Sequence, residues 1–207
     1  MPATKQLRWE RRPDERPQEL LDAALTVFAE RGYRNATLDE VAEAAGVTKG
    51  TIYHYFRTKE ELLLRAIEHY QDRAFARLQG VRRGDYHSAA ERVRAFVTEG
   101  FGSADPARRK VHALLQGIAT EAPAVRREWL RAGPVRGWRL LTKLIDDGKS
   151  SGEFRADVDA EVAARVFVSG LMLQLVWQQR SDGIPGVAIS EKRLLDAATD
   201  QLLHALA

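Results

Sequence analysis

The residues best suited to bonding with another molecule lie between Thr37 and Lys59. Within this stretch, the segment from Thr48 to Phe56 has apolar residues at Ile52 and Phe56, spaced so that both face a small core. The side chains left facing outward all form hydrogen bonds: Thr48, Lys49, Thr51, Tyr53 and His54. Hydroxyl, ammonium, phenol and imidazole groups bond to phosphate oxygens and base edges, so this face favours contact with DNA.

Two short helices joined by a turn are predicted to present this face. Thr37 and Glu40 form a capping box for the first helix, and Thr48 caps the second. Gly46 supplies the turn, where a left-handed conformation costs glycine little. Such a helix-turn-helix element places its second helix in the major groove of DNA. Gly50, in the first turn of that helix, removes a side chain where the backbone must approach the duplex.

Motifs of catalysis and metal binding fail on inspection. The segment Gly148-Lys-Ser-Ser-Gly152 has the letters of a nucleophile elbow, but an elbow requires a strand before the serine, and residues 138–145 have a helical pattern. The five histidines are scattered and cysteine is absent, so the sequence indicates no metal site, no cofactor and no thiol chemistry. We therefore expect a protein that is not an enzyme.

Helix signals dominate the whole chain, and strand signals are almost absent. Capping residues, glycines and prolines divide the apolar pattern into nine helices, three short ones followed by six longer ones. In one of the longer helices Gly133-Pro134 must kink or split the helix, because proline has no amide to donate. The predicted fold is all-α: an N-terminal three-helix helix-turn-helix DNA-binding domain followed by a six-helix ligand-binding and dimerisation domain.

The domain boundaries follow from this pattern. We place the DNA-binding domain at residues 16–63, with a linking helix that continues to about residue 79, and the larger helical domain at residues 64–207. A loop is predicted from Gly80 to His87. Residues 1–15 are rich in basic side chains, and they form either a frayed tail or an arm that follows the DNA backbone or enters a minor groove.

The composition favours a soluble protein of the cytoplasm. The 207 residues are 44% hydrophobic with a formal net charge of +3, and the absence of cysteine suits a reducing compartment. No apolar segment of a signal peptide follows the N-terminus. The longest apolar stretch, Val166 to Trp177, is interrupted by polar residues and is too short to span a bilayer, so we expect no membrane contact.

The second domain contains two further apolar groups of residues. Large side chains accumulate in its middle, more than one small core needs: Phe75, Phe96, Phe101, His112, Trp129 and Trp138. Aromatic packing would explain any one of them, but buried His112 requires a hydrogen-bond partner that a ligand would supply. The last two helices are predicted to pair with a second copy, because one of them is apolar on nearly all sides. The residues expected there are Val166, Phe167, Leu171, Trp177, Leu195 and Leu202.

One continuous stretch carries a family resemblance: Thr37-Leu-x-x-Val-Ala-x-x-Ala-Gly-Val-Thr-Lys-Gly-Thr-Ile-Tyr-x-Tyr-Phe-x-x-Lys-Glu-x-Leu-Leu63. It resembles the signature of the tetracycline-repressor (TetR) family and covers the N-terminal quarter closely. The resemblance implies a homodimer, a pocket for a small, hydrophobic effector among the large side chains of the middle helices, and repression relieved by the ligand. It also implies that three residues contact phosphates: Thr37, Tyr53 and Lys59. Five others would lie near the bases or the adjacent backbone: Thr48, Lys49, Gly50, Thr51 and His54. At His54 the family commonly has another aromatic residue.

These observations predict a ligand-responsive transcriptional regulator, most simply a repressor, that binds a palindromic operator as a homodimer. The alternative is an activator or architectural DNA-binding protein of the same fold without an effector. An apolar cavity with a few polar groups in the middle region would favour the first hypothesis, and a filled core would favour an architectural protein.

Overall fold

The computed structural model describes residues 16–102, 106–179, 184–186 and 189–207. Every regular element in these ranges is an α-helix, which confirms the predicted all-α fold. The helices are α1 (Arg16–Arg31), α2 (Leu38–Ala44), α3 (Lys49–Tyr55), α4 (Lys59–Arg83), α5 (Ala89–Phe101), α6 (Pro106–Glu121), α7 (Pro123–Ala132), α8 (Pro134–Ser150), α9 (Ala160–Gln179) and α10 (Glu191–Leu206). The basic segment predicted at residues 1–15 lies outside the described residues.

The predicted break at Gly133-Pro134 separates α7 from α8. Gly133 ends α7 and Pro134 begins α8, and the missing proline amide removes a hydrogen bond that would continue the helix. If α7 and α8 are counted as one kinked helix, the described residues form nine helices, as predicted. The linking helix α4 extends past its predicted end to Arg83, because Val81 is buried and packs the last turn against the core. The predicted loop from Gly80 is therefore helical in its first residues.

Buried side chains form two cores, and α4 contributes to both. The first core joins α1, α2, α3 and the N-terminal half of α4, and it also includes Val111 and Leu115 of α6 and Val125 of α7. The second core joins Leu78 and Val81 of α4 with α5, α8, α9 and α10. The helices of the predicted DNA-binding domain therefore share a core with helices of the larger domain.

The turn between α8 and α9 connects three helices of the second core. The Glu153 carboxylate accepts hydrogen bonds from the first two amides of α5, at 2.5 and 2.8 Å. The Arg155 amide donates to the Leu206 carbonyl at the end of α10, at 2.8 Å. Between these bonds, the Phe154 ring packs directly over Gly148 of α8. The glycine leaves the space that this ring occupies.

Helix α9 leaves an apolar stripe exposed on one face: Val162, Val166, Leu173 and Trp177. Val166 is 68% exposed and Trp177 is 51% exposed. Over Ala160–Gln178 the helix is also long and apolar enough to cross a membrane, with 28% of the segment buried in the chain. The helix is therefore longer than the apolar stretch identified in the sequence, and length alone does not exclude a membrane span. A stripe of this kind requires a covering surface.

Two glycine substitutions should have opposite effects on stability. A Cβ atom at Gly148 would lie 2.2 Å from Phe154 Cδ2 and 2.9 Å from Ala89 Cβ, so Gly148→Ala should lower the free energy of unfolding by about 1–3 kcal/mol. At Gly80, also within a helix, a Cβ would meet nothing within 4 Å. Gly80→Ala should therefore raise the free energy of unfolding by about 0.5–1 kcal/mol. Urea denaturation of both variants measures the difference, and equal effects would contradict the packing described for Phe154.

Candidate DNA-binding surface and effector cavity

Helix α3 has the two faces that its sequence pattern predicts. Ile52 and Phe56 are buried in the first core, and Lys49, Gly50 and His54 are exposed, as is Tyr53 at 52%. Thr51 is half-buried. The outward face of α3 therefore presents an ammonium, a phenol and an imidazole around Gly50, where no side chain covers the backbone.

The predicted caps form, and they already use part of the hydrogen-bonding capacity of their threonines. Thr37 Oγ1 accepts from the Glu40 amide at 3.2 Å and donates to the Glu40 carboxylate at 3.0 Å. The hydrogen bond that the Thr37 amide donates to the Glu40 carboxylate, and then the one from the Thr37 hydroxyl, lower the pKa of Glu40. Since a hydroxyl has one proton, Thr37 would have to release Glu40 before it donated to a phosphate. Thr48 and Thr51 bond to each other at 2.9 Å, which leaves one of their two hydroxyl protons for an outside acceptor.

Lys49, at the start of α3, pairs with Asp39 in the first turn of α2. This hydrogen bond raises the pKa of the Lys49 ammonium. Both side chains are largely exposed, so the pair contributes little to stability and Lys49 can exchange Asp39 for another acceptor. No sequence pattern marks Asp39 as the partner of Lys49, although the helix dipole favours an acid in the first turn of a helix.

Lys59 has a different environment from the one predicted. Its Nζ donates to the carbonyl oxygens of Tyr33, Arg34 and Ala36 at 2.8, 3.1 and 2.9 Å, and it lies 4.7 Å from the centroid of the Tyr33 ring. An ammonium has three protons, and all three are used here. Burial and the charge of Glu60 raise the pKa of the Tyr33 phenol in the same place. Lys59 therefore joins the start of α4 to the α1–α2 turn, and the predicted phosphate contact, which stays a prediction, would cost one of these bonds.

Gly50 has no packing reason to be glycine. Its φ angle is ordinary, and a Cβ there would meet only Thr48 Oγ1, at 3.8 Å, which is a normal van der Waals distance. Glycine in a helix costs up to about 1 kcal/mol relative to alanine. If glycine is required at this position, the reason is contact with another molecule and not packing within the described chain.

A small cavity lies in the predicted effector region, with a volume of about 70 Å³. Four of the predicted residues line it: Phe75, Phe96, Phe101 and His112. Trp129 packs instead against the first core, and Trp138 packs against the second core, with the Arg165 guanidinium 4.9 Å from its ring. Neither tryptophan is among the residues that line this cavity, because each packs against a core. The cavity wall also contains Gln71 and Gly133, which the sequence analysis did not identify.

The residues predicted for dimerisation divide into two groups. Val166 and Trp177 lie on the exposed stripe of α9, and Phe167 is half-buried against the second core. The remaining three are buried inside the chain itself: Leu171, Leu195 and Leu202. They are corrected as interface residues, because their side chains already pack in the second core. Val162 and Leu173 complete the exposed stripe in their place.

Two family models match the chain. The one described as bacterial regulatory proteins, tetR family, matches residues 20–66. The one described as AefR-like transcriptional repressor, C-terminal domain, matches residues 102–205, about half of the chain. Together the two matched segments include parts of both cores.

Known proteins resemble the chain over most of its length. The HTH-type transcriptional repressor KstR2 of Rhodococcus jostii is 28% identical over 90% of this chain and 91% of its own. The transcriptional regulator AcuR of Cereibacter sphaeroides is 34% identical over 74% of this chain and 71% of its own. A transcriptional regulator from Saccharomonospora viridis, solved in complex with choline, has a TM-score of 0.78 at 24% identity, covering 93% of this chain and 98% of its own.

Replacing Lys59 by methionine should destabilise the protein. Lys59→Met keeps the apolar stem but leaves three carbonyls without their donor, so the free energy of unfolding should fall by about 1–2 kcal/mol. Lys49→Met, on the exposed face of α3, should leave unfolding unchanged. Denaturation combined with DNA titrations at several salt concentrations tests this. Unchanged stability with a salt slope lower by about one unit would restore the phosphate contact to Lys59.

Replacing Gly50 by alanine should separate folding from DNA binding. Gly50→Ala should preserve or raise the free energy of unfolding, by up to about 1 kcal/mol, because the new methyl group meets only open space. DNA affinity should fall at least about tenfold, since the methyl group would stand between the helix and the groove. Gly80→Ala is the matched control, with a similar stability gain and no change in DNA affinity. Full affinity in Gly50→Ala would refute the close approach of this helix to DNA.

Proposed function

Because this chain belongs to the TetR family of bacterial regulatory proteins, we propose that it is a ligand-responsive transcriptional repressor that binds a palindromic operator as a homodimer. The members of this family are transcriptional regulators rather than enzymes. The observation that carries the proposal is the outward face of α3, where polar side chains surround a glycine that the chain's own packing does not require. Such a regulator acts in the cytoplasm, where it meets DNA.

The contacts to DNA divide by position along α3. Lys49, Thr51 and the hydroxyl of Thr48 lie at the N-terminal end of the recognition helix and contact base edges or the adjacent backbone. His54 lies one turn later on the same face. Tyr53 contacts a phosphate through its exposed hydroxyl. Arg57 is exposed and lies two residues before Lys59 in the turn after α3, which supports Arg57 as a phosphate contact while Lys59 is bonded within the chain.

Dimerisation uses the exposed stripe of α9. Val166 and Trp177 are too exposed for a lone protomer, and Gly170, one turn after Val166, has open space where a side chain would be. A second α9 packed against this stripe would come close at the glycine. A stable interface of this kind buries roughly 2,000 Å² or more in total.

Ligand response is transmitted along α4. This helix begins at the Lys59 contact with the α1–α2 turn and passes the cavity at Gln71 and Phe75, so one rigid element touches both regions. A ligand that enlarges the cavity would tilt α4 and change the spacing of two recognition helices in a dimer. To convert a mostly bound population into a mostly free one, the ligand must favour the tilted state by roughly 5 kcal/mol. Operator DNA must then weaken ligand binding by the same factor.

An architectural or activating protein without an effector is the second candidate. The volume of about 70 Å³ favours it, because an engineered cavity that binds benzene measures about 150 Å³. The buried polar side chain of Gln71 in the cavity wall favours an effector, since a filled structural core would exclude such a group.

The dimer and its operator are tested together. From a pool of random-sequence duplexes the wild type should select inverted repeats with half-sites centred about one helical turn apart. Val166→Asp should give a folded monomer with much weaker affinity for these duplexes, because charge on the stripe opposes pairing of α9. Ile184→Asp changes an exposed apolar residue outside the stripe and should leave a dimer. Light scattering at micromolar concentration decides, and a monomeric wild type would overturn the proposed assembly.

A further inference from the structure

Gln71 is a buried polar residue without a partner in the described chain. Its side chain is 7% exposed, lies in the middle of α4 and lines the cavity beside Phe75. Its amide group forms no hydrogen bond to any described residue. Buried amides are rarely left unpaired, because desolvation costs free energy that a hydrogen bond would restore. The cavity is therefore the place where the Gln71 amide meets its partner.

The amide lies against the start of α8. A Cβ atom at Gly133 would be 2.5 Å from Gln71 Nε2 and 2.9 Å from its Oε1, so only glycine allows this approach. No side chain caps the N-terminus of α8, where Gly133, Pro134 and Gly137 line the cavity. The amides of Gly133 and Gly137 already bond to carbonyls and proline has none, so the first-turn amides left at this end are those of Val135 and Arg136. The free backbone amides and the dipole of this 17-residue helix favour a negative charge at that end.

Arg136 adds a positive charge in the same turn of α8. Its guanidinium lies 4.0 Å from the centroid of the Phe75 ring and is bonded to Asp72 of α4 at 2.5 Å. Phe75 also lines the cavity, so the guanidinium stands directly behind a wall residue. No acidic side chain is found among the described residues that line the cavity. Because the carboxylate of Asp72 offsets the charge of Arg136, the preference for an anion at this end of the cavity rests on the hydrogen-bond donors and on the dipole of α8.

We infer that the effector is a small apolar carboxylate, whose carboxyl group is bound by Gln71 and the N-terminus of α8. The inference rests on the proposed ligand-responsive function and specifies the chemical class of its ligand. The apolar part lies among Phe96, Phe101 and Met172. An ammonium ligand would find no counter-charge in these walls, and a hydrocarbon would leave the Gln71 amide unpaired. The volume of about 70 Å³ limits the apolar part to a few carbon atoms unless the cavity opens.

Four probes of similar size and different head groups test the ligand class: butanoate, butanamide, 1-butanol and n-butylammonium. Each is titrated into the full-length ¹⁵N-labelled protein, following the side-chain amide of Gln71 and the backbone amides of Val135 and Arg136. Butanoate should shift these resonances and bind at least about tenfold more tightly than the other three. Binding of 1-butanol or butylammonium as tight as that of butanoate would overturn the inference, as would the absence of any shift at Gln71.

Substitutions at Gln71 assign the contact. Gln71→Met keeps the length of the side chain without its amide and should remove the preference for butanoate. Gln71→Glu should abolish butanoate binding and favour butylammonium, because it puts a negative charge at the same place. Gln201→Met, at an exposed position of α10, is the matched control and should bind as the wild type does. An unchanged preference for butanoate in folded Gln71→Met would overturn the inference.

A final titration separates this inference from the proposed function. Butanoate is added to the protein bound to its selected duplex. Release of the duplex by butanoate supports both the carboxylate ligand class and the ligand-responsive function. Binding of butanoate at Gln71 without loss of DNA affinity supports the ligand class and contradicts its role as an effector. Release by 1-butanol with equal potency supports ligand response and contradicts the carboxylate.

Discussion

Helix α4 is buried in two cores at once, and the arrangement of the rest of the molecule depends on this constraint. Its N-terminal half packs with α1, α2 and α3, and its C-terminal end packs with α5 and α8. Arg131 and Arg136, on the two sides of the α7–α8 break, pair with Glu68 and Asp72 along its length. A displacement of α4 therefore disturbs both cores and these ion pairs. The helix therefore connects the two cores.

The hydrogen bonds of Lys59 hold the start of α4 against the turn between α1 and α2. Three carbonyls of the α1–α2 turn share one ammonium, and the same turn leads directly into the Thr37 cap of α2. The N-terminus of α2 is thus positioned from α4 across 23–26 residues of sequence. A rotation of α4 would be carried to α2 through these bonds, and from α2 to α3 through the turn at Gly46.

The sequence was informative where structure is local. The caps at Thr37 and Thr48 and the turn at Gly46 depend on neighbouring residues alone, and each forms as predicted. The bonds of Lys59 could not be predicted, because its three acceptors are backbone groups of a distant turn, which no side-chain pattern indicates. Periodicity identified α9 as apolar on two sides, but it does not say which side faces inward. Leu171 was therefore assigned to the wrong face, and unpartnered Gln71 looked like an ordinary polar residue of α4.

The exposed stripe of α9 affects how a regulator of this kind would respond to its own abundance. If two protomers must meet before two recognition helices are presented together, the active species increases with the square of the subunit concentration while most chains are single. Occupancy of an operator would then rise more steeply than expression, and a modest change in the number of chains per cell would be amplified. The affinity between two copies of the stripe of Val162, Val166, Leu173 and Trp177 would set the subunit concentration at which dimers form.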